Sequence, residues 1–171
     1  MENKITPVWV KAVIICLISI VYGLILYFTG QSQNKPLGWI SLAFFCGAII
    51  YCCIQFAKQN NGNVTFGNVF AHGFKVTAAT AAIMAVYTFI AFKFIYPEMI
   101  GLTMDEARKN MEAKGNMSED QITQGIEMGK KFFIPFAIGG IIIGSAILGA
   151  ISALIGAGIA KKNPNPFEQQ Q

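Results

Sequence analysis

Between Glu2 and Glu98 the chain carries no carboxylate. Inside a bilayer, acidic side chains relay protons and pair with cationic substrates, so that gap removes most such chemistry. Histidine is scarce as well, and His72 stands alone. A metal site needs several His, Cys or carboxylate ligands within reach. Cys52 and Cys53 are the nearest candidates, but adjacent helical residues point about 100° apart and do not face one ion. Nucleophilic catalysis needs a base beside the nucleophile, and no Ser-x-Gly elbow or acid partner accompanies His72. The reading is no catalytic residue, no metal and no cofactor, and therefore not an enzyme.

Loop cysteines are missing too. Cys16, Cys46, Cys52 and Cys53 all lie in apolar runs, with no Cys-x-x-Cys pair among them. No extracellular disulfide framework follows, and the four read as buried thiols acting as small hydrophobes. Charge is sparse: 13% of residues are charged, against about 25% in a soluble domain. The net charge of +4 is spread over lysines, with Arg108 the single arginine. Such a diffuse cation set does not suit nucleic acid, which selects clustered Arg and Lys. It suits anionic lipid head groups.

What the chain has is long apolar runs. They predict an all-α membrane protein of four transmembrane helices in an antiparallel bundle. The spans fall at about 8–28, 37–57, 69–96 and 132–160, in a single integral membrane domain over 1–171. The first run is 21 residues, roughly 32 Å of helix and close to the hydrocarbon thickness. Trp9 and Tyr27 sit near its ends and Trp39 near the start of the second, where amphipathic rings anchor. The first run exceeds a signal-peptide core and no small-x-small cleavage pattern follows it, so it reads as a retained helix. Lys11, one turn inside, is expected to snorkel to the surface. The stretch 64–74 mixes aromatics with Gly, Asn and His72, and is expected to lie at the membrane surface or enter at a slant.

An extramembrane loop, 97–131, holds seven of the nine acids. Thr103-x-x-Glu106 and Ser118-x-x-Gln121 both match the capping box. They predict two short helices, about 104–113 and 119–131, resting on the outer membrane surface with a break at Gly115-Asn116. The second runs on into the last span, with a kink or boundary near Pro135. The tail 163–171, rich in Asn, Pro and Gln, reads as disordered.

An even number of spans puts both termini on one side. Lys4, Lys11, Lys58, Lys75, Lys161 and Lys162 fall there, against seven Lys and Arg on the other side. That count alone decides nothing, but the lysines flanking the first and last spans favour cytoplasmic termini.

Two sets of candidate residues emerge. Lys58, His72, Lys75, Lys161 and Lys162 are candidate contacts for anionic lipid, against the plainer reading of lysines that only orient the protein. Gly140, Gly144, Ser145, Gly149, Ala153 and Gly156 recur at four-residue spacing in the last run, where small residues let helix backbones approach. They pack within one chain, against Ala78, Ala81, Ala82 and Ala85 of the third run, or form the seam of a homo-oligomer.

The segment Val64-Thr-Phe-Gly-Asn-Val-Phe-Ala-His-Gly-Phe-Lys75, then an Ala- and Thr-rich helix ending Phe94-Ile-Tyr-Pro97-Glu98, carries a resemblance. With the charged loop and the Gly- and Ile-rich last run ending in Lys-Lys, it resembles the domain of unknown function 4199 family. Those are small four-helix membrane proteins typical of Bacteroidota. The resemblance covers nearly the whole chain and implies the four-span plan, but no activity. The residues and the resemblance together point to a multi-pass protein of the bacterial inner membrane, non-catalytic and structural or interacting. Its partners would be the lipid bilayer and either a second copy or another membrane protein, with no nucleic acid. The rival readings are a small oligomeric transporter or channel and, behind it, a lipid-modifying enzyme. Transport wants a polar stripe through the bilayer centre, and only scattered Ser, Thr and Tyr hydroxyls are present there.

Overall fold

A computed structural model describes residues 5–32, 34–115 and 117–163. Apart from Asn163, the tail expected to be disordered lies outside these. Among the described residues the fold is all helical: α1 Val8–Phe28, α2 Lys35–Gln59, α3 Phe66–Ile90, one π-helical turn Ala91–Ile95, α4 Glu98–Lys114 and α5 Glu119–Ile159. Four of these stretches are long and apolar enough to cross a membrane. Between 17 and 22% of each apolar window is buried, and large side chains such as Leu17, Val21, Ile143 and Ile147 stand exposed. Apolar surface on that scale is unfavourable in water and matches a bilayer. The chain is a multi-pass membrane protein.

The boundaries depart from the sequence reading in three places. Helix α3 starts at Phe66, ahead of the expected 69, and includes His72, so most of the stretch 64–74 is helical and continuous with the third span. Helix α4 starts at Glu98, directly after Pro97, and not at Met104. Proline is favourable at a helix start, and that start leaves Thr103 inside the helix. Its hydroxyl donates back to Met99 O at 2.8 Å and caps nothing. As expected, the second loop helix runs on into the last span, as one helix of 41 residues with Pro135 inside it. Finally, α3 closes in a π turn in which Tyr96 N donates to Ala91 O at 2.9 Å. Pro97 offers no N–H and bars Tyr96 from helical backbone angles, which ends the helix there.

The chain forms two compact units, one of residues 1–83 with 143–171 and one of residues 84–142. In the first, α1 and α2 run antiparallel. Gln59 at the end of α2 exchanges hydrogen bonds with Thr6, and Tyr22 donates to Leu37 O at 2.9 Å. Cys16 faces Thr80 O, so α3 runs alongside α1 in the same sense. The later part of α5 is antiparallel to α3: an added Cβ on Gly149 would overlap Thr77, and one on Gly73 would lie 3.0 Å from Ala153 Cβ. This is an up-down-up-down bundle around Ile15, Ile49, Cys53, Val69, Val76 and Ala157.

In the second unit, α4 and the start of α5 make a hairpin. Gly115 adopts φ +64, a conformation glycine takes without strain, and closes α4. Ser118 then opens α5 with a reciprocal capping box: its N–H donates to Gln121 Oε1, and Gln121 N–H donates to Ser118 Oγ. Met111 meets Gly125 and Met104 meets Gly129, while Ile122 and Ile126 are buried. The apolar faces of the two helices thus meet each other. Arg108 pairs with Glu112 at 2.9 Å and with Glu119, tying the hairpin across its open side. Those two carboxylates, Glu112 first, hold the guanidinium above its ordinary range. Phe92 packs edge-on against Phe133 with centroids 5.0 Å apart. The hydroxyls of Tyr87 and Tyr96 lie 3.2 Å apart.

Candidate functional site: a buried lysine–histidine pair beside an open groove

The buried face of α1 is Lys11, Ala12, Ile15 and Cys16. Ala12 and Cys16 are small and one turn apart, which lets α1 approach its neighbours and carries Lys11 inward with them. Lys11 is 4% exposed and His72 8% exposed. Their nitrogens, Lys11 Nζ and His72 Nε2, are 3.0 Å apart. Lys11 Nζ also donates to Cys52 O at 3.4 Å. An ammonium has only donors, so His72 Nε2 serves as the acceptor in this pair. Phe56 stacks on the imidazole at 4.1 Å, with the rings 8° from parallel, which fixes its plane. One cation thus joins α1, α2 and α3. The first unit has no carboxylate among its described residues to neutralise it.

A groove of about 600 Å³ runs along α1 and α2 past Lys11. That volume lies within the range of small-molecule sites, roughly 300–1,000 Å³. Thr6, Lys11 and Gln55 line one end, and Ile14, Ile18 and Phe44 the other. Ile18 and Phe44 also border a smaller recess of about 130 Å³ that reaches Tyr22 and Ile40, so the apolar seam continues along the same two helices.

The lipid-contact candidates separate. Lys58, Lys161 and Lys162 line one depression of about 470 Å³ with Asn61, Gly62 and Asn163. Gly62 has φ +77, and its carbonyl accepts from Asn163 N–H at 2.9 Å, which joins the end of α2 to the residues after α5. Lys162 donates to Ala157 O and to Ala160 O, closing the last turn of α5. Lys75 is exposed and is not among the residues lining the depression. His72 turns inward to Lys11. In place of the expected snorkelling, Lys11 turns inward too. Of the packing residues, Gly149, Ala153 and Gly156 face α2 and α3, whereas a Cβ at Gly140 or Gly144 meets nothing within 4 Å. Ser145 is half-buried. Among the described residues no group of three His, Cys, Asp or Glu is placed to hold a metal ion.

The protein-of-unknown-function family DUF4199 matches residues 11–162, a stretch that contains the Lys11–His72 pair and the three convergent lysines. The chain belongs to this family. No curated protein and no solved structure matches it. Membership in DUF4199 therefore brings no activity with it, and function has to be argued from the chain's own geometry.

Proposed function

We propose that this DUF4199 protein is a non-catalytic component of the bacterial inner membrane, with both termini cytoplasmic, acting through lipid and through a second copy or another membrane protein. The observation that carries the reading is the shared depression of Lys58, Lys161 and Lys162, in a unit with no described acid to offset it. Lysines near a membrane surface attract anionic head groups by about 1 kcal/mol each.

Transport is the second reading, and one observation favours it: Lys11 and His72 are ionisable groups buried within spans. It ranks behind because three of the buried hydroxyls bond to their own helices. Thr77, Thr80 and Ser152 each donate to the carbonyl four residues back, which takes their protons out of any polar stripe.

Two measurements test the proposal. Reporters fused after Lys58 and after Lys162 should score cytoplasmic, and one after Gly115 periplasmic; a periplasmic score after Lys162 overturns the orientation. Native mass spectrometry of the Lys58→Gln, Lys161→Gln, Lys162→Gln triple variant should show fewer retained anionic lipids than the parent. Equal retention overturns the lipid seat.

A further inference from the structure

We infer that the groove between α1 and α2 binds one chain of an anionic phospholipid, with Lys11 meeting the head-group charge. Three observations lead there. First, Lys11 is buried in a unit whose described residues hold no carboxylate, so none of those residues supplies it with a counter-anion. Its protein partners, His72 Nε2 and Cys52 O, are neutral acceptors that orient the ammonium without cancelling its charge. Second, Lys11 lines the groove, and with Thr6 and Gln55 it makes the polar end. Lys11 lies one turn inside the start of α1, about 5 Å below the helix end at 1.5 Å per residue. That is the depth at which a head group meets its acyl chain. Third, the groove becomes apolar along Ile14, Ile18 and Phe44 and continues into the recess at Tyr22. From Lys11 to Tyr22 is eleven residues, roughly 16 Å of helix, the length of an acyl chain. Polar donors at one end and a long apolar seam at the other match an anionic amphiphile. The site is separate from the seat at the ends of α2 and α5, and either can fail without the other.

The full chain, purified in mild detergent and stripped of lipid, is titrated with phosphatidylglycerol or with phosphatidylcholine of the same chains, and binding is read by native mass spectrometry. The parent should prefer phosphatidylglycerol by roughly tenfold, the scale of a hydrogen bond to a charged group. Lys11→Gln keeps a donor for Cys52 O and removes the charge, and should bring that ratio to about one. Gly47→Leu places a side chain where an added Cβ meets nothing within 4 Å, beside the groove it lines. It should weaken both lipids severalfold. The Lys161→Gln, Lys162→Gln variant should keep one tightly held phosphatidylglycerol. The inference is overturned if the parent shows no preference, if folded Lys11→Gln keeps it, or if folded Gly47→Leu binds as the parent does. Should Lys11→Gln fail to fold, Gly47→Leu decides alone. Should only the Lys161→Gln, Lys162→Gln variant lose lipid, the surface seat is the binding site and the groove is not.

Discussion

The two compact units handle positive charge in opposite ways. In the unit of residues 84–142, the cation Arg108 stands in solvent between Glu112 and Glu119. In the unit of residues 1–83 with 143–171, the cation Lys11 is buried between a carbonyl and an imidazole, with no described acid in the unit. Exposed ion pairs gain little because water already solvates both partners. A buried cation gives up that solvation and depends on what surrounds it. The interior polar contacts of the first unit should therefore matter far more than the more numerous surface charges of the second.

The largest effect is expected where α5 touches its neighbours in the first unit. An added Cβ at Gly156 would stand 2.7 Å from Cys53 Cβ and 3.2 Å from Ile50 Cα. Gly156→Leu should cost on the order of 1–3 kcal/mol or more by overpacking, read as a lowered unfolding temperature in detergent. Gly144→Leu, in open space, should match the parent. If the two behave alike, the seam is not where α5 packs.

Next comes the cation itself. Lys11→Ala removes the donor to His72 and leaves a buried acceptor unmet, at a cost of about 1–3 kcal/mol. Arg108→Gln should leave the unfolding temperature nearly unchanged. Comparable losses from both would break the contrast between the units.

A smaller effect separates the two sequence capping boxes. Ser118→Ala should cost about 1 kcal/mol of local stability and speed amide exchange at the start of α5. Thr103→Ala should leave α4 as protected as before, because its hydroxyl bonds within the helix. The smallest effect is the response to salt. Raising ionic strength should speed exchange slightly across the α4–α5 hairpin by screening Arg108. The core amides around Val76 should not respond.

Much of this architecture was legible in the chain. The four spans follow from run length and sparse charge, the start of α5 from Ser118 and Gln121, and the turn from Gly115. Thr103 misled because its motif is indistinguishable from a cap until Pro97 is recognised as the place where the new helix begins. The Lys11–His72 pair lies 61 residues apart in sequence. Periodicity reports which face of a helix is apolar, but not which helix that face will meet. A clue was present in the small residues Ala12 and Cys16, which share a face with Lys11. Snorkelling treats a lysine near a helix end as free to turn outward, but a lysine on the packing face is carried inward with its helix.

One feature of the first unit bears on leakage. Water crossing a protein interior stops where it finds two to four polar partners. Thr77, Thr80 and Ser152 each point their proton at a carbonyl of their own helix, and Ser19 does the same toward Ile15. A hydration chain through the bundle would therefore find Lys11 and His72 at one end and little to grip beyond them. Wetting of the first unit's interior should therefore stop at that pair, and a membrane containing the protein should hold its proton gradient.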